Sequence, residues 1–224
     1  MQELRVGGLT PLTTIDLPGR LAAVVFCQGC PWRCGYCHNP HLLPPAERNG
    51  PAWEEVRVFL ERRRGLLDGV VFSGGEPTAQ RALAAAVVQV KALGFQIGLH
   101  TAGIYPQRLE PVLADLDWIG LDAKGPIERY TAITGVRGAG GRFRRSLELV
   151  IGSGVDHEVR TTIYEGATPE ELLGLGHWLA EHGVRRYVWQ MRRPGGSPAG
   201  DGAWRAVRDG LARRFERFEI RGAT

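Results

Sequence analysis

Apolar residues along this chain fall into two alternating registers, short continuous runs and longer stretches with helical spacing. Leu21 to Phe26 is an unbroken apolar run of strand length, the pattern of a strand buried on both faces of a parallel sheet. Further strand-length segments stand at Gly69 to Ser73, Phe95 to Thr101, Trp118 to Asp122 and Arg186 to Met191, His157 to Tyr164 alternates as a strand, and Phe218 to Arg221 is a candidate terminal strand. Between them lie helix faces. Trp53, Val56, Phe59 and Leu60 mark one that ends near Gly65. Leu83, Val87 and Val90 mark a second that stops at Gly94. Leu109, Val112, Leu113 and Leu116 trace a third, and Phe143, Leu147, Val150 and Ile151 a fourth, closed by Gly154. Thr168-Pro169-Glu170-Glu171 is a capping box that opens a helix through Leu172, Leu175 and Leu179 to Gly183. Asp201 is placed to cap a last helix carrying Trp204, Val207 and Leu211. About six strand–helix units imply an α/β fold with a parallel sheet and right-handed crossovers.

Gly7–Gly8, Pro11 and Pro18–Gly19 make the first twenty residues a short hairpin or an extended lead-in. The stretch Arg193 to Gly202 is a flexible loop inside the domain, so residues 1–224 are expected to form one unit. No apolar stretch approaches a membrane span, and the N-terminus MQELRVGG lacks a signal-peptide core. A cytoplasmic protein without a membrane partner is the expectation. The formal charge of +4 comes almost wholly from arginine, in clusters such as Arg142–Arg144–Arg145 and Arg213–Arg214–Arg217. These clusters are scattered and lack interleaved aromatics, so solvated helix faces are preferred over a nucleic-acid partner. Lysine occurs only at Lys91 and Lys124, which makes Lys124 harder to dismiss as surface filler.

All four cysteines stand in one stretch, VVFCQGCPWRCGYCHNP, from Val24 to Pro40. A disulfide framework spread over the fold is impossible from such a cluster; a reducing compartment and a metal fit it. Cys30, Cys34 and Cys37 form C-x3-C-x2-C, three thiols able to ligate an iron–sulfur cluster while leaving one iron without a protein sulfur. Counting Cys27 as well, the run reads C-x2-C-x3-C-x2-C, which also suits a closed zinc or electron-transfer site. Cys27 directly follows the apolar run and is expected to end a strand as a small buried hydrophobe. Other polar residues fall at successive strand ends: Ser73 to Glu76, His100–Thr101, Asp122 with Lys124, Arg160 and Gln190. Strand ends that converge on one mouth favour a barrel-type arrangement over a doubly wound sheet.

The cysteine spacing, with Tyr36 just before the last cysteine, resembles the signature of the radical S-adenosylmethionine (SAM) superfamily, and SGGEP at Ser73 to Pro77 resembles its GGE element. The opening LTTIDLPGRLAAVVFCQGCPWRCGYCHNP and the segment LDWIGLDAKGPIERYTAITG resemble the anaerobic ribonucleoside-triphosphate reductase activating proteins, within the glycyl-radical-enzyme activase group. That resemblance implies a partial (β/α)6 barrel. It also implies a 4Fe–4S cluster on Cys30, Cys34 and Cys37, and SAM cleaved to methionine and a 5′-deoxyadenosyl radical that takes hydrogen from a glycine Cα of a partner enzyme. Tyr36 would lie near the adenine. Ser73, Gly74, Gly75, Glu76, Thr101, Asp122, Lys124, Arg160 and Gln190 would bind the cofactor, with Glu76 and the glycine-loop carbonyls accepting from the methionyl amine and Arg160 facing the carboxylate. A flavodoxin- or ferredoxin-type protein would supply the electron.

Two features depart from the resemblance. His100-Thr101-Ala102-Gly103 stands where related activases carry Asp-Thr-Asn-Gly, which puts a monovalent-cation site in doubt, and Cys27 occupies a place that needs no thiol. His38 and Asn39 are expected to shape the loop. The rival functions are a radical SAM enzyme acting on a small molecule, such as a deazapurine synthase, and a non-catalytic zinc or iron–sulfur module.

Overall fold

The computed structural model describes residues 3–46, 50–164, 166–191 and 202–222. Its elements follow in order: β1 (Val6–Thr13), β2 (Ala22–Cys27), α1 (Trp53–Glu61), β3 (Gly69–Gly74), α2 (Leu83–Ala92), β4 (Gln96–Thr101), α3 (Pro106–Leu109), β5 (Trp118–Asp122), α4 (Tyr130–Thr134), α5 (Ala139–Ser153), β6 (Asp156–Ile163), α6 (Pro169–Glu181), β7 (Arg186–Met191), α7 (Gly202–Ala212) and β8 (Arg217–Arg221). The strands form one sheet in sequential order. β1 pairs antiparallel with β2 as the arm of a hairpin, and β2 through β8 run parallel. The six expected strand–helix units are present, β7 with α7 being the last, and β8 adds a seventh parallel strand.

Alternation along the strands sorts residues onto two faces. In β5, Ile119 and Leu121 join the main core beneath the helices, whereas Trp118 belongs to a second small cluster with Leu17, Ala22, Val24 and Val71. That second cluster lies on the concave face. The hairpin turn fills it: Leu17 is buried, and a methyl group on Gly69 would stand 2.5 Å from its Cδ2. Residues from the ends of β2 to β7 line a single cavity on this concave face, so the sheet curls as a partial barrel.

Local chemistry accounts for most boundaries. Thr168 caps α6 as expected, its hydroxyl accepting from Glu171 N while the Glu171 carboxylate accepts from Thr168 N. The third expected helix is different. Only Pro106–Leu109 is α-helical, and Glu110–Asp115 continues as a 3-10 helix. Pro111 has no N–H to donate and crowds the turn before it, so the α-helix cannot run through it. The loop expected at 193–202, apart from Gly202, and the expected cap Asp201 lie outside the described residues.

Leu17→Ala is expected to cost about 2–4 kcal/mol, because the side chain is buried within the inner cluster and its truncation leaves a cavity there. A shift of the urea midpoint corresponding to less than about 1 kcal/mol would show that the hairpin turn is not part of the barrel core.

Candidate active site

The cysteine loop leaves β2 and is fixed at once to the end of β3. Gly75 N donates to Cys27 O at 2.9 Å and Glu76 N donates to Gly29 O at 3.0 Å. No side chain fits between these backbones: a Cβ on Gly75 would stand 2.6 Å from Gly29 O, and one on Gly74 would collide with Cys27 N. The two glycines are therefore required first by the approach of one loop to another, although both also line the cavity. Further along, Arg33 N donates to Thr134 O at 2.9 Å and the Arg33 guanidinium donates to Cys30 O at 2.6 Å. Tyr36 donates its hydroxyl to Lys124 O at 3.1 Å, and Lys124 N donates to the Tyr130 hydroxyl at 3.0 Å. The loop is thus held from β3 on one side and from the segment after β5 on the other.

Cys30, Cys34 and Cys37 are half-buried and line a cavity of about 790 Å³. Cys27 is fully buried in the main core and has no place in that lining. Burial pushes the Cys30 thiol up to about 12, with the Glu76 charge adding to it, and burial also raises Cys34, opposed by the Lys124 cation. Thiols in this setting keep their protons until a metal takes the proton's place.

Across the cavity stands a charged triad. The Asp122 carboxylate accepts from Arg160 Nε at 2.9 Å and Nη2 at 2.8 Å, and its other oxygen faces Lys124 Nζ at 3.3 Å. Burial works against the Asp122 charge, but the Arg160 and Lys124 cations outweigh it and hold the carboxyl at about 2. One anion between two cations leaves the triad with one positive charge over, beside the three cysteines. The Arg160 guanidinium packs over Gly120, where a Cβ would come within 2.6 Å of its central carbon.

A family model described as the radical SAM superfamily matches residues 24–179, from β2 through most of α6. The chain belongs to the radical SAM superfamily. This radical SAM chain is 31% identical over 176 residues, 74% of its own length and 71% of the other's, to a Methanocaldococcus jannaschii protein provisionally named a glycyl-radical enzyme activating enzyme. It is 34% identical over 137 residues to the pyruvate formate-lyase-activating enzyme of Clostridium pasteurianum, covering 58% of this chain and 57% of that one. In fold it is similar to Streptococcus suis SuiB in complex with the precursor peptide SuiA, with a TM-score of 0.69 at 16% identity over 89% of this chain and 48% of SuiB.

Members of the superfamily are enzymes that use a 4Fe–4S cluster and SAM, and the donor set here fits both groups. Three soft sulfur ligands face the cavity and the fourth is committed to the core, which suits a cluster with one iron left open to another ligand. Among the described residues, no three His, Cys, Asp or Glu side chains converge tightly enough to hold one ion, as thiolates bound to different irons need not. Ser73, Gly74, Gly75, Tyr36, Thr101, Asp122, Lys124, Arg160 and Gln190 all line the same cavity as the cysteines.

Glu76 is not among the residues that line this cavity. Its carboxylate is buried and turned away from the cavity, with one oxygen accepting from Thr78 N, the Thr78 hydroxyl and the Thr101 hydroxyl, and the other from Ala102 N at 2.9 Å. Its side chain clamps β3 to β4. Asp16, Thr162 and Met191 also line the cavity and were not foreseen. Thr162 was legible, being two residues beyond Arg160 on the same strand face; Asp16 lies in a turn with no periodicity to betray it. The stacking of Tyr164 on Tyr36, with ring centroids 5.1 Å apart, was likewise missed.

His100 takes the place of the expected carboxylate. Its Nε2 lies 2.9 Å from Asp16 O and its ring packs edge-on against Trp118. Burial, helped by the charge on Arg160, lowers its pKa to about 3. An unfolded chain takes up this proton near pH 6.5 while the folded one does not, so stability falls as pH drops from about 6.5 toward 3. His100→Gln is expected to flatten that slope when urea midpoints are compared at pH 7.5 and 4.5. Equal slopes would mean that His100 is solvated.

Proposed function

We propose that this radical SAM enzyme is a glycyl-radical-enzyme activase, acting in the cytoplasm on anaerobic ribonucleoside-triphosphate reductase. The observation that carries the reading is a loop with three cysteines turned to a cavity and the fourth turned to the core, in a chain similar over most of its length to a protein named for activating glycyl-radical enzymes. The choice of reductase as partner rests on the segments Leu12 to Pro40 and Leu116 to Gly135 and on their resemblance to that subgroup. A flavodoxin- or ferredoxin-type donor would deliver the electron.

In this reading Cys30, Cys34 and Cys37 hold the cluster, and the cluster when bound supplies the electron that breaks a carbon–sulfur bond of SAM. The chemistry supplied would be one-electron cleavage of SAM to methionine and a deoxyadenosyl group able to take hydrogen from a glycine Cα. The chain's own residues bind, orient and exclude water. The edges of Gly74 and Gly75 offer backbone groups to the methionyl end, and the surplus positive charge of the Asp122–Lys124–Arg160 triad suits its carboxylate. Tyr36, buried and stacked on Tyr164, gives the adenine a flat apolar surface. A cavity of about 790 Å³ lies in the size range of small-molecule and cofactor sites, which is room for SAM.

Anaerobically reconstituted protein, reduced in the presence of SAM and a co-expressed reductase, tests the reading by electron paramagnetic resonance. A stable glycyl radical together with 5′-deoxyadenosine is expected. Cys34→Ala is expected to lose the cluster signal and SAM cleavage, and Cys27→Ala to keep both. Formation of 5′-deoxyadenosine with no protein radical would favour a small-molecule substrate. Full metal binding with no spectral response to SAM would favour a closed, non-catalytic site.

A further inference from the structure

A second, smaller pocket of about 160 Å³ lies on the other side of the Glu76 turn, lined by Arg5, Ala79, Gln80, Arg81, Ala82 and Arg108. It shares no lining residue with the cavity of the cysteine loop. Three guanidiniums, from the segment before β1, the start of α2 and α3, are brought together there by the fold. Gln80 fixes the first of them: its amide oxygen accepts from Arg5 N at 2.7 Å and its amide nitrogen donates to Arg5 O at 2.7 Å. The Arg5 side chain then runs inward, and its Nε is buried with no hydrogen-bond partner. Arg108 stacks on Tyr105, 4.4 Å from the ring centroid, and donates from a single nitrogen to Thr78 O at 3.3 Å and Ala79 O at 2.6 Å. Arg81 is exposed at the rim. Among the described residues, none of the three arginines forms an ion pair with a carboxylate.

Unpaired arginines on a convex surface need no explanation, since water solvates them. Three around one small concavity are different. Guanidinium stays charged at any physiological pH, so the repulsion cannot be relieved by losing a proton, and a buried Nε–H without an acceptor adds a desolvation cost. An anion with several acceptor oxygens, held by the terminal guanidinium nitrogens, would offset the repulsion, and the arginine fork matches phosphoryl geometry. The volume admits one phosphoryl group and falls below the ~300 Å³ at which pockets begin to hold drug-sized ligands. We infer that this pocket binds a tetrahedral oxyanion, either inorganic phosphate or the phosphoryl end of a small phosphomonoester. Arg108 also holds the carbonyls of Thr78 and Ala79, and Thr78 in turn holds the Glu76 carboxylate. Occupancy would therefore stiffen the turn that joins β3 to β4.

The test is calorimetric titration of the iron-loaded protein with inorganic phosphate and, separately, with glycerol 2-phosphate, each against sodium chloride at matched ionic strength. Saturable binding of one phosphate per chain is expected, weakened at least tenfold in Arg81→Ala and partly kept in Arg81→Lys. Arg81 is exposed and outside the active site, so its variants are expected to fold and to keep the cluster spectrum of the wild type. Tighter binding of the monoester would identify the phosphorylated metabolite as the source, and equal or weaker binding the free ion. Heats no greater than those of chloride would overturn the proposal, as would saturable binding that is unchanged in both Arg81→Ala and Arg108→Gln.

Discussion

Everything at the mouth of this barrel depends on how closely the end of β3 approaches the beginning of the cysteine loop. Two backbone hydrogen bonds, Gly75 N to Cys27 O and Glu76 N to Gly29 O, zip the strand end to the loop, and the absence of side chains on Gly74 and Gly75 permits it. The Glu76 carboxylate then extends the fixture to β4 through Thr101 and Ala102. A buried carboxylate is costly unless it is satisfied, and here four donors satisfy it. Three consecutive strands are thereby locked at the level where Cys27 ends in the core and Cys30 emerges into the cavity.

Charge is distributed across the concave face as unevenly as shape. Its β2–β5 side is filled by Leu17, Ala22, Val24, Val71 and Trp118. From the end of β5 to β8 it carries ion pairs: Asp122 with Arg160, and the buried Glu158 held by both terminal nitrogens of Arg221 on β8, at 2.6 and 2.9 Å. Buried charges of this kind contribute little to stability beyond the cost of desolvating them, but removing one partner would leave the other stranded. Asp122 and Arg160, with Lys124, keep one wall of the cavity polar. The seventh strand, β8, matters because it brings Arg221 to neutralise Glu158.

Much of this was legible in the sequence, and the reasons differ by element. Strands fell within a residue or two of their expected places because most are continuous apolar runs between polar ends, while β6 alternates. Cys27 could be assigned to the core because it continues such a run. The Thr168 cap was legible because its chemistry is local. What escaped needed contacts distant in sequence. Glu76 sits in a motif that suggests a ligand contact, and only the positions of Thr101 and Ala102, some 25 residues on, show that its carboxylate is already engaged. Asp16 enters the cavity because Leu17 plugs the barrel, a packing event with no local signature. The third helix was over-read because Leu109, Val112, Leu113 and Leu116 keep helical spacing while Pro111 interrupts the backbone; apolar periodicity fits a 3-10 turn nearly as well over so short a span.

The account rests on one iron being left without a cysteine because the fourth thiol is built into the core. Mössbauer spectroscopy of protein whose exchangeable iron site alone carries iron-57 addresses this most directly. One iron of the cluster is predicted to take the label and to change its isomer shift and quadrupole splitting when SAM is added. A cluster that exchanges no single iron, and whose spectrum is indifferent to SAM, would mean that Cys27 completes a closed site and would contradict the account.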